Sequence, residues 1–446
     1  MPKASASLMR IDNIYLAPAG AEQADTVLDL TPAVSVKGRG RRASLDLNYR
    51  LQNIFYKSES GQNTSYHQLD SHGSVELLED WFHLDAMGAY SQRNTTRDGI
   101  VGYGNYSITD NRSNVSEYRV SPYFAHRFGS AADFELRYTR TAIAYDTNTV
   151  PGIRTNGVDL AVRSGTRFER LSWALRVDRQ NVETDDRSQI RFEQSEAQLR
   201  YQLKPAVGLL LIGGYEYNEF QRIAPDEEPA GAFWRAGFVW TPSSRTSLQV
   251  TAGSRFYGDS VELAFMHTSR RSTWHATYSE SLTTGIQAAS TGYLFDAEGN
   301  PIFDAEGNPI YLPGSVPLTS EVFLRKHFST DVTISGRRSV VTLVVFNDLR
   351  LFQESGNEER GYGTSLAWKR KLSRIGEVNL NGDWRREDLA DISRVDEYSN
   401  VALELTRRLA GKATGTLAFR RMARRSDQPG NDYQQNTIAA TVNINF

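Results

Sequence analysis

Apolar and polar residues alternate with a period of two along most of the chain. Ala43, Leu45, Leu47, Tyr49 and Leu51 interleave with Ser44, Asp46, Asn48, Arg50 and Gln52. The same rhythm returns in Trp173, Leu175 and Val177 against Ser172, Ala174, Arg176 and Asp178, and in Leu248, Val250 and Ala252. It recurs in Val401, Leu403 and Leu405, and near the chain end in Ile438, Ala440, Val442, Ile444 and Phe446 against Thr437, Ala439, Thr441, Asn443 and Asn445. Side chains on opposite faces of a strand repeat every two residues and those on a helix every 3.6 or so, so these segments predict strands of roughly 10 to 16 residues. The longest apolar runs, Val207 to Gly214 and Val340 to Phe346, fall far short of the roughly 18 residues of a membrane helix.

The breaks in the alternation are of two kinds that take turns along the chain. Short turns are predicted at Lys37 to Arg41, Glu79 to Trp81, Phe128 to Ala131, Glu169-Arg170, Lys204-Pro205, Pro242 to Arg245, Gly336 to Arg338 and Ala410-Gly411. Longer polar loops fall between them, at Ala17 to Ala24, Asn94 to Asn111, Asp146 to Asn156, Gln221 to Glu228, Thr284 to Thr319 and Arg424 to Asn431. A hairpin meander with short turns at one end and long loops at the other is the layout of an up-and-down transmembrane β-barrel of the outer-membrane kind. We expect one all-β domain over residues 1–446 with about 22 strands (20 to 24), running from Ala4 to Leu16 through Asp432 to Phe446, and no separate plug domain. An even strand number puts both termini on the short-turn side, expected to be periplasmic. The competing folds, a secreted β-sandwich or a propeller, use strands of about five or six residues, shorter than these.

Composition changes this picture little. The 446 residues hold 39 % hydrophobic and 11 % aromatic residues, and the mean hydropathy is −0.50, low for a membrane protein. A barrel tolerates that value because only every second residue meets lipid. The 51 Lys and Arg nearly balance the 53 Asp and Glu, which argues against nucleic acid as a partner. Cysteine is absent, which suits export through an oxidising periplasm and removes disulfides and thiol chemistry. The polar N-terminus carries no signal core, so a chain that is exported is expected to be mature.

Aromatics near predicted strand ends, Phe55-Tyr56, Trp81-Phe82, Tyr90, Tyr123-Phe124, Tyr215, Tyr217, Trp234, Trp240, Trp368 and Trp384, are candidates for interfacial girdles. Phe446 closes an alternating strand, similar to the C-terminal signal that the barrel-assembly machinery reads.

Several short patterns occur in a recognisable order. Asp12-Asn13 precedes Leu16-Ala17-Pro18, then Leu30-Thr31-Pro32 and the strand Leu45 to Tyr49. Later come Asp304-Ala305-Glu306-Gly307-Asn308-Pro309-Ile310, Glu321-Val322-Phe323-Leu324-Arg325-Lys326, Ser335-Gly336-Arg337-Arg338-Ser339 and Phe446. Together, and over essentially the whole chain, they resemble the PEP-CTERM system-associated outer-membrane proteins, barrels encoded with exosortase and exopolysaccharide clusters. The resemblance implies a Gram-negative outer-membrane barrel that moves or anchors surface polysaccharide, with no catalytic residues to carry over.

Catalytic and metal constellations are missing from the sequence. Of the 7 histidines, His67 and His72 fall on opposite strand faces and none forms a helical ligand pair. No phosphate loop or nucleophile elbow appears in a strand-to-helix setting, so neither enzyme nor cofactor is expected. The tandem Phe295 to Ile302 and Phe303 to Ile310 reads as two Gly-Asn-Pro turns; its oxygens could also face Ca²⁺, though without the EF-hand spacing. The loop from 284 to 319 is long enough to serve as an extracellular or lumen-capping element.

The lumen is where function could be written. With the apolar set facing lipid, Arg50, Arg137, Arg163, Arg176, Arg200, Arg325, Lys369, Arg385 and Arg420 point inward, as do Asp46, Asp70, Glu76, Asp133, Glu135, Asp159, Asp178, Glu196, Asp383 and Glu404. Opposite charges on neighbouring strands would brace the wall, and guanidinium groups on a water path would contact acidic sugars or other anions. A TonB-type receptor of this strand number carries a plug ahead of the barrel, and only about four residues precede the first strand. The expected function is therefore a passive exopolysaccharide channel, with lipid, lipopolysaccharide and periplasmic export components as partners. A general diffusion porin and a scaffold with a filled lumen stand as alternatives.

Overall fold

The computed structural model describes the chain except residues 97–98, 103, 224–228 and 291–317, and the side chains at 187–188, 289–290 and 391. The tandem repeat lies outside the described residues. Twenty-two strands follow one another: β1 Pro2–Ile11, β2 Asp25–Arg39, β3 Ala43–Tyr56, β4 Thr64–Leu78, β5 Phe82–Asn94, β6 Arg112–Phe128, β7 Ala132–Tyr145 and β8 Ile153–Ser164. They continue as β9 Leu171–Thr184, β10 Arg187–Lys204, β11 Val207–Glu219, β12 Ala230–Ser243, β13 Thr246–Arg255, β14 Gly258–Thr268 and β15 Ser272–Thr284. A short helix, α1 Gly285–Ser290, precedes β16 Val322–Ser335, β17 Ser339–Phe352, β18 Glu358–Lys371, β19 Gly376–Leu389, β20 Arg394–Ala410, β21 Ala413–Ser426 and β22 Tyr433–Asn445.

Each strand pairs antiparallel with the next, and β1 closes on β22 from Lys3↔Asn445 to Ile11↔Thr437. Closure satisfies backbone groups between strands wherever neighbouring strands are paired, as membrane depth demands. The predicted first strand, Ala4 to Leu16, is shorter in the structure. Its last residues turn inward after Ile11, because Asn13 binds the carbonyls of Ala17 and Gln434 with its amide at 2.8 and 3.0 Å.

The faces sort by alternation. On β1, Ser7 is buried at 2 % exposure and donor or acceptor to Thr441 at 2.8 Å, whereas Leu8 is 56 % exposed. Exposed Leu28, Leu45, Val158, Leu175, Leu199, Leu211, Phe238, Leu343, Leu403 and Ile438 continue that outward face around the barrel. A continuous exposed band of Leu, Val and Phe is stable only against hydrocarbon, and polar neighbours then face the lumen. Rings at strand ends point outward at Phe55, Trp81, Phe124, Tyr215, Trp234, Trp240 and Trp384. Tyr56 and Tyr123, also girdle candidates by sequence, lie instead on the inward alternation.

Termini and short turns share one end; the long loops share the other. The apolar core sits inside the loop end of the lumen. Ile14 and Tyr106 pack there with Met9, Ile11, Val27, Ile54, Tyr56 and Ala439, while Ile286 of α1 packs against Val115, Ile143, Val150, Ile153, Val182, Ile190 and Val322.

Candidate functional site in the lumen

Ladder register places every charged residue expected inside on the lumen face. Asp46 and Arg50 of β3 share the inward parity of buried Gln52 and Ile54. Towards the short-turn end the lining is ion-paired and open to water. Lys37 meets Asp46 at 2.9 Å, Arg176 binds Asp159 at 2.8 Å and Lys369 meets Glu377 at 3.0 Å. Arg137 joins Asp85 at 3.0 Å and Glu135 at 2.9 Å, and lies over the Tyr123 ring at 3.7 Å. Arg200 donates to Gln202 at 3.2 Å, and Arg163 stands opposite Asp133 in the ladder. Asp159 and Asp178 face each other directly, a like-charge pair offset by the neighbouring Arg176 and by the Gln180 amide, which donates to Asp178 at 3.4 Å.

Higher in the lumen the charges are buried. Arg325 contacts Asp348 at 2.6 Å, and Asp348 also takes His327 at 3.2 Å and Arg350 at 3.1 Å, Arg350 in turn facing Glu359 at 3.5 Å. Gly361 and Gly363 of β18 leave the space these long side chains cross: a Cβ on Gly361 would meet the Arg350 guanidinium at 3.4 Å. Arg385 lies over the Tyr398 ring at 4.1 Å and beside Glu387 at 3.2 Å, and Asp383 accepts from Asn400 at 3.0 Å. Glu404 is buried beside them. Charges this deep persist only when paired and hydrogen-bonded, so this network stiffens the wall from β16 to β21.

The described residues of the loop between β5 and β6, 95–96, 99–102 and 104–111, leave the rim and fold inward. Arg112 holds that loop by three carbonyls, Gly104 at 2.7 Å and Asn105 and Ser107 at 3.0 Å. The loop is fastened to β3, β21 and β22: Asn105 donates to Gln52 at 2.8 Å, Arg420 to the Tyr106 hydroxyl at 2.6 Å, Tyr433 to the Val101 carbonyl at 2.7 Å and Arg424 to the Gly99 carbonyl at 2.7 Å. The loop after β1 joins it through Ile108 N–H to the Ile14 carbonyl at 2.9 Å. From the opposite side, Ser320 binds Asp186 at 2.7 Å beneath α1. Of the long 284–319 loop, the described ends therefore pack inside the mouth.

Sequence reading found the charged lining and missed these fasteners. Tyr106, Asn105 and Arg112 sit in or beside a segment without periodicity, where nothing local announces which way the chain folds. The Asp348–Arg350–Glu359 chain was legible in principle, since the alternation of β17 continues through Asp348 and Arg350.

Fold and lining together define a transmembrane β-barrel with a charged lumen narrowed at one end by its own loops. The chain resembles solved barrels along its whole length: the FrpB iron transporter of Neisseria meningitidis (F5-1 variant; 9 % identity, TM-score 0.54, all of this chain and 82 % of that one), and the siderophore receptor PirA of Acinetobacter baumannii (6 %, 0.51, all and 80 %). A ferric enterobactin receptor mutant of Pseudomonas aeruginosa aligns at 10 % identity and TM-score 0.50 over 80 % of its length. At such identities the likeness is one of fold. No known family profile and no curated protein matches the sequence.

Proposed function

We propose that this protein is a gated conduit of the Gram-negative outer membrane that exports or handles surface exopolysaccharide, with its loop end outside and its termini in the periplasm. The observation that carries the reading is the lumen's division into two levels. A wet, ion-paired vestibule at the short-turn end leads to a constriction built from residues 12–24 and from 99–102 and 104–111, which side chains rather than a strand ladder hold in place. Side-chain fasteners can release without breaking the wall, as conduction of a polymer through a 22-strand barrel requires. Arginines on the vestibule wall suit acidic sugars through charge-assisted hydrogen bonds. Passive conduction needs no cofactor, with energy and polymerisation supplied by inner-membrane partners. The order of short motifs shared with PEP-CTERM system-associated barrels supports the polysaccharide assignment, and the terminal Phe446 supports delivery by the barrel-assembly machinery. Iron transport and siderophore reception, the roles named for the aligned barrels, would need a ligand-binding surface argued from this chain's own residues.

The folded-in loops favour a second reading, a scaffold whose lumen stays filled. Single-channel recording in a planar bilayer separates the two. A conduit opens, and acidic oligosaccharide added on the short-turn side blocks it; a scaffold stays silent. A general diffusion porin conducts steadily and ignores the oligosaccharide. Unaltered polysaccharide secretion in a clean deletion strain would overturn the substrate assignment.

A further inference from the structure

Among the described residues, the wall is weakest between β14 and β15. β14 pairs with β13 along its length, up to Arg255↔Gly258, and β15 pairs with β16 up to Thr284↔Val322. Between β14 and β15 the ladder runs only from Thr268↔Thr273 to Leu263↔Tyr278. Beyond that point Gly258–Glu262 and Ser279–Thr284 part company.

The upper part of β15 leans to the lumen side of the β13–β14 tip. Glu280 shares the outward alternation of Trp274 and Tyr278, yet it is only 6 % exposed. It accepts from the Tyr257 hydroxyl at 3.2 Å and the Tyr278 hydroxyl at 2.7 Å, and faces Lys326 at 3.7 Å. Arg255, on the lumen face of β13, donates to the Glu280 carbonyl at 3.3 Å while gripping Glu216 of β11 at 2.6 and 2.8 Å. Thr251, Ser260 and Glu216, all lumen-facing, are buried beneath it.

The depth of this gap matters. β14 has 11 residues, and a strand needs about 9 to 11 to cross the hydrocarbon. On the outward face Trp234 stands level with Ser254 and Asp259, so Val261 to Leu263 lies on the membrane side of that ring. Unpaired backbone at that depth is strongly disfavoured unless it lines a wet cavity, and an open edge against lipid is avoided. Its outer lip is apolar, with Val261 at 41 % exposure and Leu263 beside it. The inner lip carries Ser279 and Ser281, both exposed to the lumen.

We propose that the β14–β15 seam is a lateral portal between the upper lumen and the loop-side leaflet, taking an amphiphile. The polar head lies against Ser279 and Ser281, and the hydrocarbon tail lies along Val261 and Leu263. Swinging of the β15–β16 hairpin changes the portal's width, and Arg255, Tyr257 and Glu216 latch it inward. The inference rests on the transmembrane fold alone and is independent of the polysaccharide assignment.

The test uses the full chain in liposomes of phosphatidylethanolamine, phosphatidylglycerol and lipopolysaccharide. Benzoylphenylalanine is placed at Ser281, at Val261 and, as a lumen control remote from the seam, at Ser365; heat-modifiable gel migration verifies each folded barrel. Lipid or lipopolysaccharide adducts at Ser281 should reach the level at Val261 and exceed Ser365 several-fold. Adducts at Ser281 no higher than at Ser365 would overturn the portal, as would capture of a protein band alone, which would mean that a partner strand covers the edge. The chain has no native cysteine, so E262C with S279C, opposite each other if the ladder continued, can zip the seam. Oxidation should form the disulfide and abolish Ser281 adducts, with recovery on reduction. A disulfide that leaves the adducts unchanged, or one that never forms, would overturn the moving hairpin.

Discussion

Arg420 donates from Nη1 to the hydroxyl of Tyr106 at 2.6 Å, joining β21 to a loop 314 residues earlier in the chain. Both partners are buried, Tyr106 at 1 % exposure and Arg420 at 8 %. The same loop is held by Tyr433, Arg424 and Asn105 through single hydrogen bonds to side chains or carbonyls. A constriction fastened this way has a stability set by a few contacts, each separately removable, whereas the wall around it is held by a continuous ladder.

Tyr106→Phe removes one hydrogen bond to a charged group and keeps the ring's packing against Tyr56 and Ile14. The cost to the closed loop should be about 1.5–3 kcal/mol, with the barrel itself intact. Planar-bilayer recordings should show more frequent or longer openings than the parent protein. Unchanged gating would place the barrier elsewhere, beneath α1 for instance.

Asp348 is the shared acceptor of Arg325, His327 and Arg350, with side-chain exposure of 2 %. Asp348→Asn takes the carboxylate from Arg325, whereas Arg350 keeps Glu359 at 3.5 Å. Breaking a buried pair in this way costs about 3–5 kcal/mol, so urea unfolding in detergent should shift to clearly lower midpoint. Adding R325M to D348N should recover part of the loss, because the charge that lost its carboxylate goes with it. A double variant less stable than D348N would contradict this account.

Strand number, strand order and the facing of Asp46, Arg137 or Asp383 were legible because lipid and water impose opposite demands on alternate residues, and a period of two records them directly. Positions where the chain leaves the ladder were not. Ile14 was assigned to the first strand because its apolar neighbours continue the rhythm, but Asn13 turns the backbone inward there. The hairpin turns at Asp185-Asp186 and Phe256-Tyr257 carry no Gly or Pro, so their shortness at the loop end left no mark. Contacts such as Ser107 to Gln435 at 3.3 Å join residues 328 positions apart, and no local pattern encodes a pairing of that range.

Leu211 is 52 % exposed on the outward face of β11, while its neighbour Leu210 is 2 % exposed within the inner cluster of Ile212, Phe233 and Val239. Leu211→Arg puts a charge against hydrocarbon and should destabilise the folded barrel by about 2–4 kcal/mol if the site lies near the midplane. Leu210→Ala instead opens a cavity, with a loss of about 2–5 kcal/mol. Their dependence on bilayer thickness separates them: refolding into thinner-lipid vesicles should relieve L211R and leave L210A unchanged. Equal relief of both would mean that the two faces of β11 are assigned the wrong way round.

Gly237 of β12 lies hard against the backbone of β13. A Cβ there would stand 1.9 Å from the Val250 carbonyl oxygen and 2.8 Å from the Thr251 Cα, both backbone atoms of the adjoining β13. Backbone cannot yield as a flexible side chain can, so β12 and β13 must separate to admit a methyl group. Gly253, one ladder step away on β13, meets the same obstacle against the Trp234 carbonyl at 1.9 Å. Overpacking at a well-packed contact costs about 1–3 kcal/mol, and here it falls on the two strands that support the β14 edge. Gly237→Ala should therefore lower the yield of heat-modifiable, folded barrel after refolding, while Gly382→Ala, whose Cβ would have its nearest neighbour at 3.7 Å, should not. Equal yields for the two variants would show that the wall accommodates the methyl group.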